Sequence, residues 1–281
     1  MVLNTSSALR SPHSVSGMEI IAHRGASHDA PENTLAAIRL AWQQEADVVE
    51  VDVQLSKDGK LVVIHDDNTK RSGGFARKVG AQTLDELHSL DVGRWKGKRW
   101  AGEKIPTLAA VLRTVPDGKR LFVEFKCGPE GIPEFKRTAK DTGKRPASMV
   151  AIGFSRETMR QLKAEMPGLE VCWISKLRRH WRTGRWWPAA EKLIATAQEI
   201  GVDGLDLDAR SPVNSSLVEK LRAAGLKVYV WTVDSPAKAG QLVAAGVDGI
   251  TTNRPGWLRE QLQQAPTKYE RLLARPKPEA G

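Results

Sequence analysis

Four separate segments of the sequence place ionisable side chains at or just after a short apolar run, where a strand is expected to end. In chain order these side chains are His23 and Arg24, Glu50 and Asp52, His65, and Glu124 and Lys126. Alternate residues of a strand face the same side, so Glu50 and Asp52 share one face and valines occupy the other. Two adjacent carboxylates repel each other, and this spacing therefore indicates a site that holds protons or a cation.

The residue types indicate which chemistry such a site would support. Three carboxylates, Glu50, Asp52 and Glu124, form an oxygen-only set, and the cysteine and histidine spacing of a zinc site is absent from the sequence. Oxygen ligands favour one divalent cation, Mg²⁺ or Ca²⁺. A hard cation beside two histidines and two cationic side chains is typical of a phosphoryl site. There the positive charges hold phosphate oxygens and the imidazoles move protons.

Each of these features alone has a structural explanation. A histidine at a strand end is often only hydrogen-bonded, Glu50 and Asp52 could form a solvated strand face, and Glu124 with Lys126 could form a surface pair. Active sites of α/β barrels, however, are assembled from the carboxyl ends of several strands. The combination of all these residues at successive strand ends therefore favours catalysis.

The elements that would position these side chains follow from the apolar pattern. Nine strand-like runs occur along the chain: MEIIAH, DVVEVDVQL, KLVVIHD, RLFVEFK, SMVAIGF, LEVCWIS, VDGLDLD, LKVYVWTV and DGITTN. Helix-like segments lie between most of them: NTLAAIRLAWQQEA, TLAAVLRTV, SRETMRQLKAEM, AAEKLIATAQEI, NSSLVEKLRAAG and SPAKAGQLVAAG. This alternation predicts βα units on a parallel sheet, in an α/β fold of the TIM (β/α)8 barrel type. A doubly wound open sheet is the alternative, but no glycine-rich dinucleotide fingerprint follows the first run.

A turn and a long irregular segment modify the simple barrel. Lys57-Asp58-Gly59 separates two strand-like runs, which predicts an antiparallel hairpin. Residues 67–105 lack a long regular pattern, so we expect an inserted segment after the strand that ends in His65. The predicted organisation is a single catalytic domain over 18–260 that contains this insertion, with flexible termini at 1–17 and 266–281.

Composition bounds the cellular context and the partners. A formal net charge of +10 favours anionic partners, such as phosphorylated metabolites, acidic lipid surfaces or nucleic acid, although it also serves solubility. No nucleic-acid-binding motif accompanies the charge, so no nucleic-acid partner is expected. No apolar run approaches the roughly 20 residues of a membrane span, which leaves only weak contact with a membrane surface open. Two cysteines, Cys127 and Cys172, cannot build a disulfide framework, and we predict a cytoplasmic location.

Short motifs spread over residues 20–255 carry a resemblance to a known family. They read AHRG, PENT, VEVDVQLSKDG, VVIHDD, IPTLAAVL, VEFK and VYVWTVD followed by GVDGITTNRP. In this combination the sequence resembles the glycerophosphodiester phosphodiesterases. The resemblance implies a distorted TIM barrel with a segment inserted after the strand of the second histidine. It also implies hydrolysis of a small-molecule glycerophosphodiester to an alcohol and sn-glycerol 3-phosphate.

The resemblance further implies a role for each candidate residue. Glu50, Asp52 and Glu124 would be the metal ligands, and His23 and His65 would be the general acid and base. Arg24 and Lys126 would contact the phosphate, and Trp231 would be the aromatic residue near the glycerol end. Which histidine is the acid stays open, as does the choice between water and the neighbouring glycerol hydroxyl as nucleophile. Asn33, in PENT, could orient the site or cap a helix N-terminus. Family members usually have glycine where Glu45 stands, at a helix end outside the metal set.

One further segment, from Lys176 to Leu193, combines arginines with tryptophans on the expected catalytic rim. One interpretation is a helix whose tryptophans, Trp186 and Trp187 in particular, bury against the barrel. The other is a cationic aromatic lip for a phosphate-bearing or lipid-like substrate, with Trp181 at its open edge.

Two other functions remain open at this stage. The same site could act on lysophospholipids with lysophospholipase D-type specificity, which arginines and tryptophans around the rim would suit. A catalytically inactive barrel could serve as a binding module, although the complete polar set disfavours this. Head-group preference, native metal and oligomeric state do not follow from the sequence.

Overall fold

The computed structural model describes residues 17–264, and its centre is a closed barrel of parallel strands. Numbered along the chain among eleven strands, the eight barrel strands are β1 (Glu19–His23), β2 (Val48–Leu55), β4 (Arg120–Phe125), β5 (Met149–Gly153), β6 (Glu170–Ser175), β9 (Gly204–Asp208), β10 (Lys227–Trp231) and β11 (Gly249–Thr252). The barrel closes because β1 pairs in parallel with both β11 and β2. The predicted (β/α)8 barrel is confirmed, and the open sheet is excluded.

The ninth predicted run is an extra strand outside the barrel. Strand β3 (Leu61–Val63) pairs antiparallel with β2, with Val53 opposite Val63 and Leu55 opposite Leu61. Gly59 in the connecting turn has φ +74°, in the left-handed region that favours glycine. The predicted hairpin is confirmed. The strand ends at Val63, so His65 lies just beyond it rather than at its last position.

The helices surround the barrel and begin at polar caps. They are α1 (Leu35–Gln43), α2 (Lys70–Gly73), α3 (Leu84–Ser89), α4 (Leu108–Leu112), α5 (Ile132–Asp141), α6 (Arg156–Glu165), α7 (Ala190–Ile200), α8 (Ser215–Ala223), α9 (Pro236–Ala245) and α10 (Pro255–Gln264). The side chains of Thr34, Thr107 and Ser155 accept backbone N–H bonds at the starts of α1, α4 and α6. All six predicted helices are present, whereas α5 and α10 are not among the predicted segments. None of the helices in the described residues has the length and apolar character that crossing a bilayer requires.

The two faces of the barrel strands contact different parts of the protein. On β2, Val49, Val51 and Val53 face outward into the core between barrel and helices, as predicted. Inside, apolar side chains fill the amino-terminal part of the barrel: Ile21, Val48, Phe122, Val150, Ile152, Cys172, Ile174 and Tyr229. This inner core forms a floor, so polar side chains of the same face are exposed to a cavity only at the carboxyl ends of the strands.

The 67–105 segment is an inserted unit with its own small core. It contains α2, α3 and three short 3₁₀ turns, and its apolar cluster consists of Val62, Ile64, Val79, Leu87, Val92 and Ile105. Lys96 Nζ donates to the Ser27 carbonyl at 2.7 Å, which ties the unit to the loop after β1. This contact places the insertion beside the carboxyl end of the barrel. The predicted absence of long regular elements is confirmed.

The 176–187 segment forms a small hairpin rather than a helix. Strands β7 (Arg178–Arg179) and β8 (Trp186–Trp187) pair with each other in a separate two-stranded sheet. Gly184 adopts φ +67° in the turn. Trp186 and Trp187 are 39% and 68% exposed, so the prediction that they bury against the barrel is wrong. Trp181 is 81% exposed. The termini predicted as flexible lie outside the described residues, apart from Gly17.

Candidate active site

A cavity of about 200 Å³ lies at the carboxyl end of the barrel and collects residues from all eight barrel strands or the loops after them, and from the segment after β3. Seven of the eight predicted site residues line it: His23, Arg24, Glu50, His65, Glu124, Lys126 and Trp231. The eighth, Asp52, is fully buried directly beneath Arg24 and Lys126. The structure therefore brings together all eight site residues predicted from the sequence, although they lie up to about two hundred positions apart in the chain.

The turn after β1 shows why glycine follows His23 and Arg24. Arg24 and Gly25 both have positive φ, +58° and +80°. A Cβ at Gly25 would lie 2.5 Å from the carbonyl carbon of Ala37 in α1, so only glycine fits there. The close approach lets the N–H of Ala26 donate to the Ala37 carbonyl at 2.9 Å. The tight turn thus fixes the histidine and arginine against the start of α1.

His23 is oriented by a hydrogen-bonded chain that reaches the loops after β10 and β11. Its Nδ1 lies 2.7 Å from Oδ1 of Asn253, and Nδ2 of Asn253 donates to Asp234 Oδ2 at 2.6 Å. Because a carboxylate only accepts, the Asn253 oxygen must face the imidazole. His23 therefore carries its proton on Nδ1, and Nε2 keeps a free lone pair. Burial and then the charge of Arg24 lower the pKa of His23, which keeps the ring neutral near neutral pH.

His65 belongs to a chain of alternating charges. Its Nδ1 lies 2.7 Å from Asp66 Oδ1, and Arg71 Nε donates to Asp66 Oδ2 at 2.7 Å. Arg71 also donates to Glu32, which accepts from Arg24 Nη1 at 2.8 Å. Hydrogen bonds from Arg71 and His65 outweigh burial and hold the pKa of Asp66 at about 2. Because an ionised carboxylate only accepts, Asp66 accepts a hydrogen bond from Nδ1 of His65 and fixes the orientation of the ring.

Three buried carboxylates form a crowded cluster in the cavity. Oxygen atoms of Glu50, Asp52 and Glu124 lie within 4.8 Å of one another. Burial, followed by repulsion from the other two carboxylates, raises the pKa of Glu50 well above its ordinary value. Burial and the Asp52 charge raise the pKa of Glu124 to about 7. Oε1 of Glu50 is buried without a hydrogen-bond partner, and Oδ1 of Asp52 has only an ion pair with Lys126. Crowded carboxylates with an unpartnered oxygen fit a divalent cation that prefers oxygen ligands.

Asp52 stays ionised although it is completely buried. Burial acts to raise its pKa, but Arg24 and then Lys126 outweigh it and hold the pKa at about 2. Arg24 Nε lies 3.1 Å from Oδ2, and Lys126 Nζ lies 3.2 Å from Oδ1. Asn33 donates to Oδ2 at 2.8 Å and accepts from the Asp52 backbone N–H at 3.2 Å. Asn33 thus orients a site residue, and the N-cap of α1 is Thr34 instead.

The wall opposite the carboxylates is aromatic and carries a cation. Trp231 and Phe154 meet edge to face with ring centroids 5.9 Å apart. Nζ of Lys176 lies 4.8 Å from the centroid of Trp231 and 5.5 Å from that of Phe154. Such distances are typical of cation–π contacts. Trp231 was predicted from the sequence, whereas Lys176 was expected only to begin a loop and Phe154 had no predicted role.

A fourth carboxyl group, Asp206, faces the same cavity and was not predicted. It is 2% exposed, and its Oδ1 is buried without a hydrogen-bond partner. Burial, with a smaller contribution from Glu124, raises its pKa well above the ordinary value. Leu205 and Leu207 pack outward in the core under the helices. The alternation in VDGLDLD could have identified Asp206 as the inward residue, whereas nothing in TTNRP pointed to Asn253 as a partner of His23.

Comparisons with known proteins agree with this arrangement. Residues 23–257 match the glycerophosphoryl diester phosphodiesterase family. A glycerophosphodiester phosphodiesterase of Caldanaerobacter subterraneus subsp. tengcongensis is 34% identical over 240 residues, which cover 84% of this chain and 94% of the relative. A Bacillus subtilis glycerophosphodiester phosphodiesterase is 31% identical over 252 residues, 84% of this chain and 83% of the relative. An Oleispira antarctica phosphodiesterase, solved in complex with the product sn-glycerol-3-phosphate, superposes with a TM-score of 0.77 at 29% identity, over 87% of this chain and 96% of that one.

Proposed function

Since this chain belongs to the glycerophosphoryl diester phosphodiesterase family, we propose that it hydrolyses glycerophosphodiesters to an alcohol and sn-glycerol 3-phosphate with the help of one divalent cation. It is an enzyme of that class. The observation that carries the proposal is the content of a single cavity. It is lined by two of the three crowded carboxylates, with Asp52 directly beneath, by two histidines with oriented rings and by two cations, Arg24 and Lys126.

Glu50, Asp52 and Glu124 would hold the cation, which we propose to be Mg²⁺ or Ca²⁺ because all three ligands offer oxygen. A bound cation would neutralise the anionic diester and stabilise the charge that develops in the transition state. The fit rests on the crowding of the three carboxylates and on Oε1 of Glu50, which is buried without a hydrogen-bond partner.

His23 is the proposed general base. Its Nδ1–H is committed to Asn253, so Nε2 can take the proton from the attacking hydroxyl, whether that of water or of the neighbouring glycerol carbon. A base must be unprotonated to act, and burial with the Arg24 charge favours the neutral ring.

His65 is the proposed general acid. The Asp66 carboxylate accepts from Nδ1 and orients the ring, so that Nε2 is the nitrogen from which a proton would pass to the departing alkoxide. The side chain is 34% exposed, in keeping with a position where the leaving alcohol enters solvent.

Arg24 and Lys126 would contact the phosphate oxygens, and both already lie against Asp52. Trp231 and Asp206 would contact the glycerol end. An uncharged carboxyl group has one donor and one acceptor, and a hydroxyl group of glycerol offers the complementary pair. The buried, partnerless Oδ1 of Asp206 supports this role.

The test measures release of sn-glycerol 3-phosphate and choline from glycerophosphocholine by the purified chain. We expect chelation to abolish turnover and Mg²⁺ or Ca²⁺ to restore it. Glu50→Gln should remove activity, whereas the matched variant Glu45→Gln, in the turn before β2 at the opposite end of the barrel, should retain it. Full activity in excess chelator would contradict the metal-assisted mechanism, and no release from any glycerophosphodiester would contradict the function itself.

A further inference from the structure

A second cavity of about 420 Å³ adjoins the active-site cavity and shares three wall residues with it, Phe154, Ile174 and Lys176. Its remaining walls come from the start of α6, the end of β6, the β7–β8 hairpin and α7: Arg156, Trp173, Ser175, Arg178, Trp187, Pro188, Lys192 and Thr196. We call this space the side groove. Because the two cavities share a wall, a substrate bound at the carboxylates could extend one of its ends into the side groove.

The side groove contains four positive charges and no negative one among the described residues that line it. The cations are Arg156, Lys176, Arg178 and Lys192. Within the described part of the chain, none of these four forms an ion pair with a carboxylate. Nearby acidic residues have other partners: Glu157 pairs with Arg160 at 2.7 Å, and Asp208 pairs with Arg210 at 2.6 Å. Four like charges around one space favour an anionic occupant.

Two of the three aromatic rings that line the side groove, Phe154 and Trp173, are already covered by cations, whereas Trp187 has no such contact within the described residues. Lys176 lies over Trp231 and Phe154, and the guanidinium of Arg156 lies 4.8 Å from the centroid of Trp173. A quaternary ammonium group would need such ring faces for itself and would meet positive charge there instead. The four positive charges and the two covered rings together therefore disfavour a cationic head group such as choline.

We propose that the side groove binds the leaving alcohol and that the preferred substrates are glycerophosphodiesters whose alcohol carries a second phosphate group. This inference rests on the proposed function. In the reaction, the bond between phosphorus and the alcohol oxygen breaks, a new phosphorus–oxygen bond forms from the attacking hydroxyl, and the proton ends on the departing alcohol. The products are sn-glycerol 3-phosphate and the phosphate-bearing alcohol. The second phosphate would lie among Arg156, Arg178 and Lys192.

The experiment compares kcat/KM for three diesters at low salt, where exposed charges are least screened. The leaving alcohols are choline, which is cationic, glycerol, which is neutral, and glycerophosphoglycerol, which is anionic. We expect the anionic substrate to exceed the cationic one by about tenfold or more, since charges placed around a binding surface act mainly on capture. Raising the ionic strength should narrow this ratio.

Matched double variants separate the side groove from the overall charge of the chain. Arg156→Gln with Arg178→Gln removes two charges from the side groove. Arg182→Gln with Arg185→Gln removes two charges from exposed positions of the same hairpin, and neither position lines the side groove. The first pair should narrow the ratio of anionic to cationic kcat/KM by about fivefold, and the second by less than about twofold. Replacing Arg156 and Arg178 by Lys should preserve the ratio, which controls for loss of structure.

An equal effect of both Gln pairs, or no preference in the unmodified protein, would overturn the side-groove inference alone. Preference for glycerophosphocholine would do the same. Absence of hydrolysis with all three diesters would overturn the proposed function and the inference with it.

Discussion

Replacing Glu124 by glutamine should stabilise the metal-free protein, although it removes a proposed metal ligand. Burial and the Asp52 charge raise the pKa of Glu124 from 4.5 to about 7. At about 1.4 kcal/mol per pH unit, ionised Glu124 destabilises the folded state by about 3 kcal/mol once the pH exceeds 7. Glutamine retains the shape and is never ionised, so this loss should be absent from the variant.

The sign follows from the direction of the pKa change. A carboxyl group whose pKa is higher in the folded state favours folding fully below its unfolded value of 4.5, and this contribution is lost as the pH rises through about 7. In excess chelator, the free energy of unfolding of the unmodified chain should therefore fall between about pH 4.5 and 8 relative to that of Glu124→Gln. At pH 5 the two proteins should differ by less than about 1 kcal/mol. Asp52, with a pKa of about 2, titrates below this window and does not interfere.

Urea unfolding followed by tryptophan fluorescence at pH 5, 6, 7 and 8, with chelator and then with Mg²⁺ or Ca²⁺, measures these differences. Adding the cation should reverse the order of stability at pH 8, because only the unmodified chain has the complete carboxylate set. Glu165→Gln, on the exposed surface of α6, is the control and should follow the unmodified chain between pH 5 and 8. Parallel curves for Glu124→Gln and the unmodified chain in chelator would refute the argument that burial of this carboxylate opposes folding.

Four further outcomes concern catalysis. His23→Ala and His65→Ala should each reduce kcat by about 10²–10⁴-fold while cation affinity, measured by titration, survives; a variant that keeps more than about a tenth of the rate would not have lost a proton-transfer group. The kcat/KM of the unmodified enzyme should fall with decreasing pH only below 6.5, because burial and Arg24 lower the pKa of His23 and the base must be neutral. Asn253→Ala should reduce kcat by less than His23→Ala, since it disturbs only the orientation of the imidazole ring. Asp206→Asn should raise KM for glycerophosphodiesters more than it lowers kcat, and an unchanged KM would remove Asp206 from the glycerol contacts.

The barrel could be predicted from the sequence because its strands are short apolar runs with clear boundaries. All nine runs are strands, and the Lys57–Gly59 turn identified the antiparallel pair. Helix α5 was missed because its buried positions include Thr138, which weakens the apolar period. Helix α10 was missed for a related reason. Its buried face includes Arg259, which donates a hydrogen bond to Asp47 at 2.6 Å. Asp47 lies more than two hundred positions earlier in the chain, so the local pattern could not reveal this contact.

The candidate site could be predicted where a charged residue follows directly from a strand. The alternation of β2 was sufficient to orient Glu50 and Asp52. The same reasoning could not find Asn253, because its role depends on contact with His23, and an amide after a strand has no charge pattern of its own. Trp186 and Trp187 were misjudged because residue type alone favours burial. The hairpin that carries them pairs only with itself among the described strands and projects from the barrel.

The two ends of the barrel show how a ligand site differs from a structural ion-pair cluster. At the amino-terminal end, Arg120 binds Glu170 at 2.9 Å, Tyr229 donates to Glu170 at 2.7 Å, and Glu19 completes the group. None of the buried polar atoms of that cluster lacks a partner. At the carboxyl end, the acidic side chains are more completely buried, and oxygens of Glu50 and Asp206 lack a partner. Burying a polar atom without a partner opposes folding, so the carboxyl end is incomplete without something that binds there. The distinction does not depend on acidic residue count, since both ends contain several carboxylates. It depends on which carboxylate oxygens have hydrogen-bond partners within the chain itself.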